Sequence, residues 1–344
     1  MNDLKLALLG FGNAGQAFVK MLSEKLPEIQ RIYGRSVKVT AIATASKGTI
    51  IDSGGIDLLQ VCADIEHFGK FADDRLGLCH KDALAVIEEA DCDVVCELTP
   101  LEIFTGQPAI DHIKMAFACG KHVITANKGP VAWAFDELKS LAKEKGLCFF
   151  YETTVMDGTP VFNLVEHTLK FCQVTEVSGI LNSTTNYILE GLAQGKPYDD
   201  VIVAGKKKGF IEANPAMDIE GYDAAAKITA LLNVLMDAGL TPSEVDRTGI
   251  ENITVSDIKE AASRGRVIKL LCRGWRKDGR VYASVKPVEV EMQDMLATID
   301  STTSVISITT DLMGKLSVIE HAPEIEQTAY GIFGDVIRVL DTEK

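Results

Sequence analysis

The chain has 344 residues, with 35 Lys and Arg against 49 Asp and Glu, for a formal charge of −14. That acidic surplus argues against nucleic acid or an anionic membrane as the main partner. A composition 47% hydrophobic and 24% charged predicts an ordered globular protein with ample core for two domains. No apolar run approaches the roughly 20 residues that a bilayer requires.

Eight cysteines are scattered from Cys62 to Cys272 without a CxxC pair, most inside apolar runs such as VVCEL and LCFF. Reduced core thiols are expected, rather than a disulfide framework or a zinc site. No basic segment followed by an apolar one opens the chain, so no signal peptide is expected and a cytoplasmic location is.

The apolar run Lys5–Gly10 is followed by Gly10, Phe11, Gly12, Asn13, Ala14 and Gly15, and then by a helical pattern, QAFVKMLSEKL. Strand, GxGxxG and helix in this order form the dinucleotide-binding fingerprint. Gly10 permits the tight turn, Gly12 the approach of the pyrophosphate, and Gly15 close helix–strand packing. Phosphates then meet N–H groups at the helix start. A plain tight turn is the alternative for the glycines alone.

Strands are predicted at Val37–Ala43, Val94–Leu98 and His122–Thr125 with helical segments between them, the alternation of a parallel α/β sheet. The second strand runs into Thr44-Ala45-Ser46-Lys47, without the acid that would grip a ribose 2′-hydroxyl. Ser46 and Lys47 could accept a 2′-phosphate, which favours NADP over NAD; a solvated loop lysine is the alternative. Thr99 and Pro100, after the third strand, and Lys128, after the fourth, fall at strand C-termini, where such sheets receive ligands.

The densest chemistry lies in Glu212–Lys227, EANPAMDIEGYDAAAK. From Asp223 to Gly239 the pattern predicts a helix apolar on nearly every face, and such helices are buried. Asp223 and Lys227, four residues apart, share one side of it. Charged residues are rarely buried without partners, so Glu212, Asp218, Asp223 and Lys227 predict a proton-transfer site. An exposed i,i+4 ion pair is the plainer alternative. Lys206-Lys207-Lys208 reads as a solvated helix end, Ser256–Leu271 as a helix and Val281–Val290 as a strand.

The segments GFGNAG, ELTP with GQPA, KHVITANKGP, YETTVMDGTPVF, GILNSTTNYIL and GFIEANPAMDIEGYDAAAKITAL, over roughly residues 5–275, resemble homoserine dehydrogenases in order and spacing. The resemblance implies a Rossmann-type dinucleotide-binding domain at 1–150 and an α+β catalytic and dimerisation domain at 151–327. It places the C-terminal helix, 328–344, back on the first domain. It also implies a homodimer that interconverts L-homoserine and L-aspartate 4-semialdehyde with NADP or NAD. No aspartokinase or regulatory domain is expected.

Carried over by position, Lys227 matches the acid–base lysine and Lys128 a second active-site lysine between nicotinamide and substrate. Glu212 and Asp223, with Asp218 close by, match the acids that hold the amino-acid substrate, and Thr184 a substrate-contacting threonine. Phe210 stands where some members have tyrosine. A monovalent cation such as sodium is implied at the Glu152 carboxylate and the carbonyls of Val155, Asp157 and Thr159; by itself, Asp157–Pro160 reads only as a turn.

The chemistry is consistent with these residues. Reducing an aldehyde needs a hydride donor and a proton source at the oxygen, and lysine, with an ordinary pKa of about 10.4, is protonated at neutral pH. The C-terminal quarter departs from the family pattern. Glu320–Ala329 lacks the usual glycine-rich turn, and Ser301-Thr302-Thr303-Ser304 lacks the expected Asn. Two alternatives therefore stand beside the leading reading: a paralogous dehydrogenase of another small amino or hydroxy acid, and a non-catalytic dinucleotide-binding protein. His321 reads as a surface histidine.

Overall fold

The computed structural model describes residues 3–207, 211 and 214–342. Glu212 and Phe210 lie outside them. The chain forms two compact units, one of residues 3–160 with 324–342 and the other Val161–Pro323.

The first unit alternates strands and helices: β1 (Leu4–Leu9), α1 (Asn13–Tyr33), β2 (Val37–Ala43), β3 (Thr49–Ile51), α2 (Leu58–Phe68), β4 (Leu78–Cys79), α3 (Ala83–Glu89), β5 (Val94–Glu97), α4 (Ala109–Ala118), β6 (His122–Thr125), α5 (Lys128–Trp133), α6 (Phe135–Lys145) and β7 (Phe149–Phe150). The sheet order is β4-β3-β2-β1-β5-β6-β7. Pairing is parallel from β2 through β1, β5 and β6 to β7, and antiparallel where β3 joins β2 and β4. Both faces of β1 are buried, which explains its unbroken apolar run. Leu6 and Leu8 join one core layer, with Phe18, Leu22 and Val336; Ala7 and Leu9 join the other, with Val86, Ile113 and Leu138.

The C-terminal helix, Ile325–Thr342, belongs to this unit and packs on α1. It buries Ala329, Ile332, Val336, Val339 and Leu340. Each of the larger aliphatic residues contributes about 1.5–3 kcal/mol, enough in sum to hold a helix far away in sequence.

The second unit follows as α7 (Val161–Thr168), β8 (Val174–Ile180), α8 (Ser183–Ala193), α9 (Tyr198–Lys207), α10 (Ala216–Ile219), α11 (Tyr222–Met236), β9 (Asp246–Arg247), α12 (Val255–Ser263), β10 (Arg266–Lys277), β11 (Arg280–Glu291), β12 (Ser304–Thr310) and β13 (Gly314–Glu320). Its sheet has the order β13-β12-β8-β10-β11-β9 and is antiparallel except at β9–β11.

The helix expected over Ser256–Leu271 ends at Ser263. Gly265, at φ +71°, turns the chain and Arg266 opens β10. The β-branched Val267 and Ile268 suit a strand, and pairing with both β8 and β11 fixes it there. The helix predicted from Asp223 stops at Met236, three residues early, where Asp237 adopts φ +47°. Its burial is as the apolar pattern predicts, with ten buried residues from Ala224 to Met236.

Candidate functional site

Each unit gathers part of the predicted chemistry. In the first, β1 and β5 are neighbours whose crossover helices lead to opposite sides of the sheet, the switch point at which open α/β sheets receive ligands. Gly10 sits there at φ +99°, and a Cβ on it would lie 2.5 Å from the Leu98 carbonyl oxygen. The loop leaving β1 and the loop leaving β5 therefore touch, and only glycine fits between them.

A dinucleotide fits this edge. Gly12 is exposed, a Cβ on it would meet nothing within 4 Å, and it caps α1 with no side-chain hydrogen bond and no acid in the first turn. Backbone N–H groups at such a helix start suit a phosphate. Gly15 lies against the Gly10 carbonyl oxygen and the Leu98 side chain. Phe11 is buried, while Asn13 is exposed and Ala14 half-buried.

Lys47 is not the solvated loop lysine of the plainer alternative. It is half-buried, and its Nζ donates to the Phe11 carbonyl at 2.6 Å. A turn places it: the Lys47 N–H donates to Thr44 Oγ1 at 2.8 Å, and that hydroxyl donates to the Gly48 carbonyl at 2.8 Å. Ser46 beside it is exposed. Thr99 and Pro100 follow β5, and Lys128, half-buried, opens α5 just after β6.

The segment Glu152–Thr159 stands in the same unit, against the C-terminal helix. Glu152 is buried, 4% exposed, and its backbone N–H donates to Asp335 Oδ2 at 3.1 Å. Burial pushes the Asp335 carboxyl up to about 7, with the Glu152 charge adding to the effect and Arg338 opposing it. Asp157, at φ +45°, accepts from the Thr328 hydroxyl at 2.8 Å. Val155 is buried, and the Thr159 N–H donates to the Met156 carbonyl. Among the described residues no three His, Cys, Asp or Glu are placed to hold a metal ion. The oxygen set that the resemblance implies, one carboxylate with backbone carbonyls, has the chemistry of a hard-cation site.

In the second unit, three elements converge. Asn182, at the end of β8, caps α8 by accepting from the Thr185 N–H at 2.8 Å. Its Nδ2 donates to Asp218 Oδ1 at 2.6 Å and to Asp223 Oδ2 at 3.0 Å. Lys227 lies one turn beyond Asp223 on α11, 3.7 Å from its Oδ2, and its Nζ donates to the Leu181 carbonyl at 2.8 Å. The two side chains are 20% and 16% exposed, so this is not the exposed ion pair of the plainer alternative.

Asp218 is held above the ordinary carboxyl range, first by burial and then by the Asp223 charge. Hydrogen bonds from Asn182 and Thr184 and the charge of Lys227 oppose the rise. Four predicted residues, Thr184, Asp218, Asp223 and Lys227, thus form one cluster. Asn182 was not singled out in the sequence. Its only local signal, Asn before Ser-Thr-Thr, marks a helix cap, and that says nothing of the acids it also binds.

A half-buried cluster of one ammonium and two carboxylates can exchange a proton at an oxygen and hold a cationic group. The homoserine dehydrogenase family model matches residues 160–337 of the 344. The chain belongs to the homoserine dehydrogenase family.

It is 36% identical over 342 residues to a homoserine dehydrogenase of Methanocaldococcus jannaschii, covering 99% of this chain and 100% of that one. It is 32% identical over 340 residues to an NAD(+)-dependent homoserine dehydrogenase of Pseudomonas canavaninivorans, covering 98% and 97%. Among solved structures, it is similar to a hyperthermophilic archaeal homoserine dehydrogenase in complex with NADPH, at a TM-score of 0.83 and 28% identity, covering 98% and 97%. The protein is therefore an oxidoreductase that acts on a CH–OH group with NAD(P), and the α/β class with a Rossmann-type unit is that of the family. The non-catalytic alternative falls with this membership. No helix of the described residues is long and apolar enough to cross a membrane.

Proposed function

We propose that this chain interconverts L-homoserine and L-aspartate 4-semialdehyde, with Lys227 as the acid–base group. The observation that carries the reading is the placement of Lys227 Nζ, 2.8 Å from the Leu181 carbonyl and 3.7 Å from Asp223, on a buried helix beside Asp218. The carbonyl orients the ammonium, and the carboxylate balances its charge.

The dinucleotide, when bound, supplies or receives the hydride. Lys227 gives a proton to the aldehyde oxygen in reduction and takes one from the hydroxyl in oxidation. Lysine is ordinarily protonated at neutral pH, so reduction is favoured there and the oxidative rate rises with pH. Asp218 and Asp223, with Glu212, supply the negative charge that a substrate ammonium requires in a cleft. Thr184 contacts the substrate from the start of α8.

In the first unit, Gly10, Phe11, Gly12, Asn13, Ala14 and Gly15, with Thr99 and Pro100, bind the dinucleotide, and Lys128 lies at its nicotinamide end. NADP is the preferred form: no acid follows β2, while Ser46 is exposed and Lys47 holds its charge beside the glycine loop. The relatives differ on this point, one being NAD(+)-dependent by name and one solved with NADPH. A monovalent cation at Glu152, Val155, Asp157 and Thr159, a homodimer and a cytoplasmic location complete the reading, supported by the resemblance and, for the cation, by the buried Glu152 carboxylate.

The test is oxidation of L-homoserine by the purified protein, followed by nicotinamide absorbance with NADP and then NAD across alkaline pH. Turnover that depends on Lys227 and rises with pH is expected. Bound dinucleotide without turnover of homoserine would favour the paralogous reading, with residues 301–327 as the place to seek another substrate.

A further inference from the structure

Glu97 ends β5 with no exposure at all, and none of the roles above uses it. A carboxylate so placed is costly unless every lone pair is directed at a donor. Its Oε1 accepts the Thr99 N–H at 2.8 Å and also the Thr99 hydroxyl; its Oε2 lies 2.6 Å from His112 Nδ1, on α4. His112 is itself 6% exposed.

The chain of contacts continues. The Thr99 carbonyl accepts from Asn127 Nδ2 at 3.1 Å, and Asn127 Oδ1 accepts the Gly129 N–H at 2.9 Å, capping the helix that Lys128 opens. A path of hydrogen bonds thus runs from α4, through the loops that leave β5 and β6, to the Gly129 N–H beside Lys128.

Stability alone gives no reason for this arrangement, since replacing both partners of a buried hydrogen bond by apolar groups of the same shape is often nearly neutral. What the carboxylate adds is direction. It holds both donors of Thr99 in a single geometry, at the strand end where the dinucleotide lies.

We propose that Glu97 and His112 are positioning residues for hydride transfer, holding Thr99 and, through Asn127, Lys128 in register with the nicotinamide end of the bound dinucleotide. The proposal rests on the reading that Thr99 and Lys128 border the cofactor. Small misplacements of reacting groups can cost about 100-fold in rate, so the effect falls on kcat rather than on binding.

The experiment compares Glu97→Gln, His112→Leu, His112→Asn and Lys128→Ala in the full chain. It measures kcat and KM for homoserine, Kd for NADPH and NADH from nicotinamide fluorescence, and thermal unfolding. Glu97→Gln and His112→Leu should lower kcat by about 10- to 100-fold while dinucleotide Kd and homoserine KM move by less than about threefold. His112→Asn, whose amide nitrogen takes the place of Nδ1 and can still donate to Glu97, should recover most of kcat.

A lower melting temperature with kcat per folded protein unchanged would overturn the proposal, as would equal kcat losses in His112→Leu and His112→Asn. If Glu97→Gln leaves kcat intact while Lys128→Ala abolishes it, the positioning role is wrong and the cofactor-edge reading stands. If Lys128→Ala is harmless while Glu97→Gln still lowers kcat and His112→Asn keeps it, the role of Lys128 is wrong and positioning through Thr99 stands.

Discussion

Lys227 Nζ lies 2.8 Å from the Leu181 carbonyl oxygen, closer than the 3.7 Å that separates it from Asp223 Oδ2, its partner one helical turn away. The lysine is therefore aimed by the end of a strand 46 residues upstream and only balanced by the neighbouring acid. Lys227→Ala should lower kcat by about 10²–10⁴-fold, the usual contribution of a positioned acid–base group, with dinucleotide Kd near wild type. Steady-state kinetics beside a fluorescence titration check this; wild-type turnover would remove Lys227 from the reaction.

Asn182 binds both acids and caps α8 with the same side chain. Asn182→Ala should cost about 1 kcal/mol of stability through the lost cap and raise homoserine KM. Asn182→Asp keeps the cap but sets a third carboxylate against Asp218 and Asp223. It should lower kcat/KM further while losing less stability near pH 5 than at pH 8. Urea melts at both pH values, read beside the kinetics, separate the two functions.

Burial and the Asp223 charge raise the Asp218 carboxyl above its ordinary value. The folded protein then keeps the proton to higher pH than the unfolded chain does. This residue's contribution to stability is complete below the ordinary carboxyl range and is lost as pH rises through the raised value. The melting temperature of wild type minus that of Asp218→Asn should fall across that window and then level. A difference that rises with pH would mean that Asn182, Thr184 and Lys227 outweigh burial.

Lys47 holds its ammonium at the Phe11 carbonyl, on the rim of the glycine loop. Lys47→Ala should weaken NADPH binding by about tenfold, near 1.4 kcal/mol, and change NADH binding little. Fluorescence titrations with both cofactors test it. Equal losses would show that the lysine supports the loop rather than the 2′-phosphate.

A Cβ on Gly158 would lie 2.1 Å from the Gln327 carbonyl oxygen and 2.7 Å from the Gly331 nitrogen, both backbone atoms of the C-terminal helix region. Gly158→Ala should therefore destabilise the first unit by about 1–3 kcal/mol, as overpacking does, and show as a lower urea midpoint. An unchanged midpoint would mean that the helix shifts at no cost.

Local pattern determined much of this protein. The apolar run before Gly10, the glycine spacing and the alternating segments specify the parallel sheet and its ligand-bearing edge, because period and turn chemistry are properties of neighbouring residues. Spacing alone also places Asp223 and Lys227 on one side of a helix whose apolar faces require burial. The homoserine dehydrogenase motifs are local strings in the same way.

Other features needed residues far apart in sequence. The stretch Arg266–Leu271 reads as the tail of a helix until it becomes part of β10, whose backbone hydrogen bonds go to β8 and β11. Asn182 reads as a cap until the fold brings Asp218 and Asp223, 36 and 41 residues later, to its amide. Asp157–Pro160 reads as a turn until Thr328 and Gly331 arrive from the C-terminal helix. Glu97 is one acid at a strand end until His112 and Thr99 surround it. Short-range periodicity selects the elements; burial and the partners of polar groups are set only by packing, where a charge must find its donors or not be buried at all.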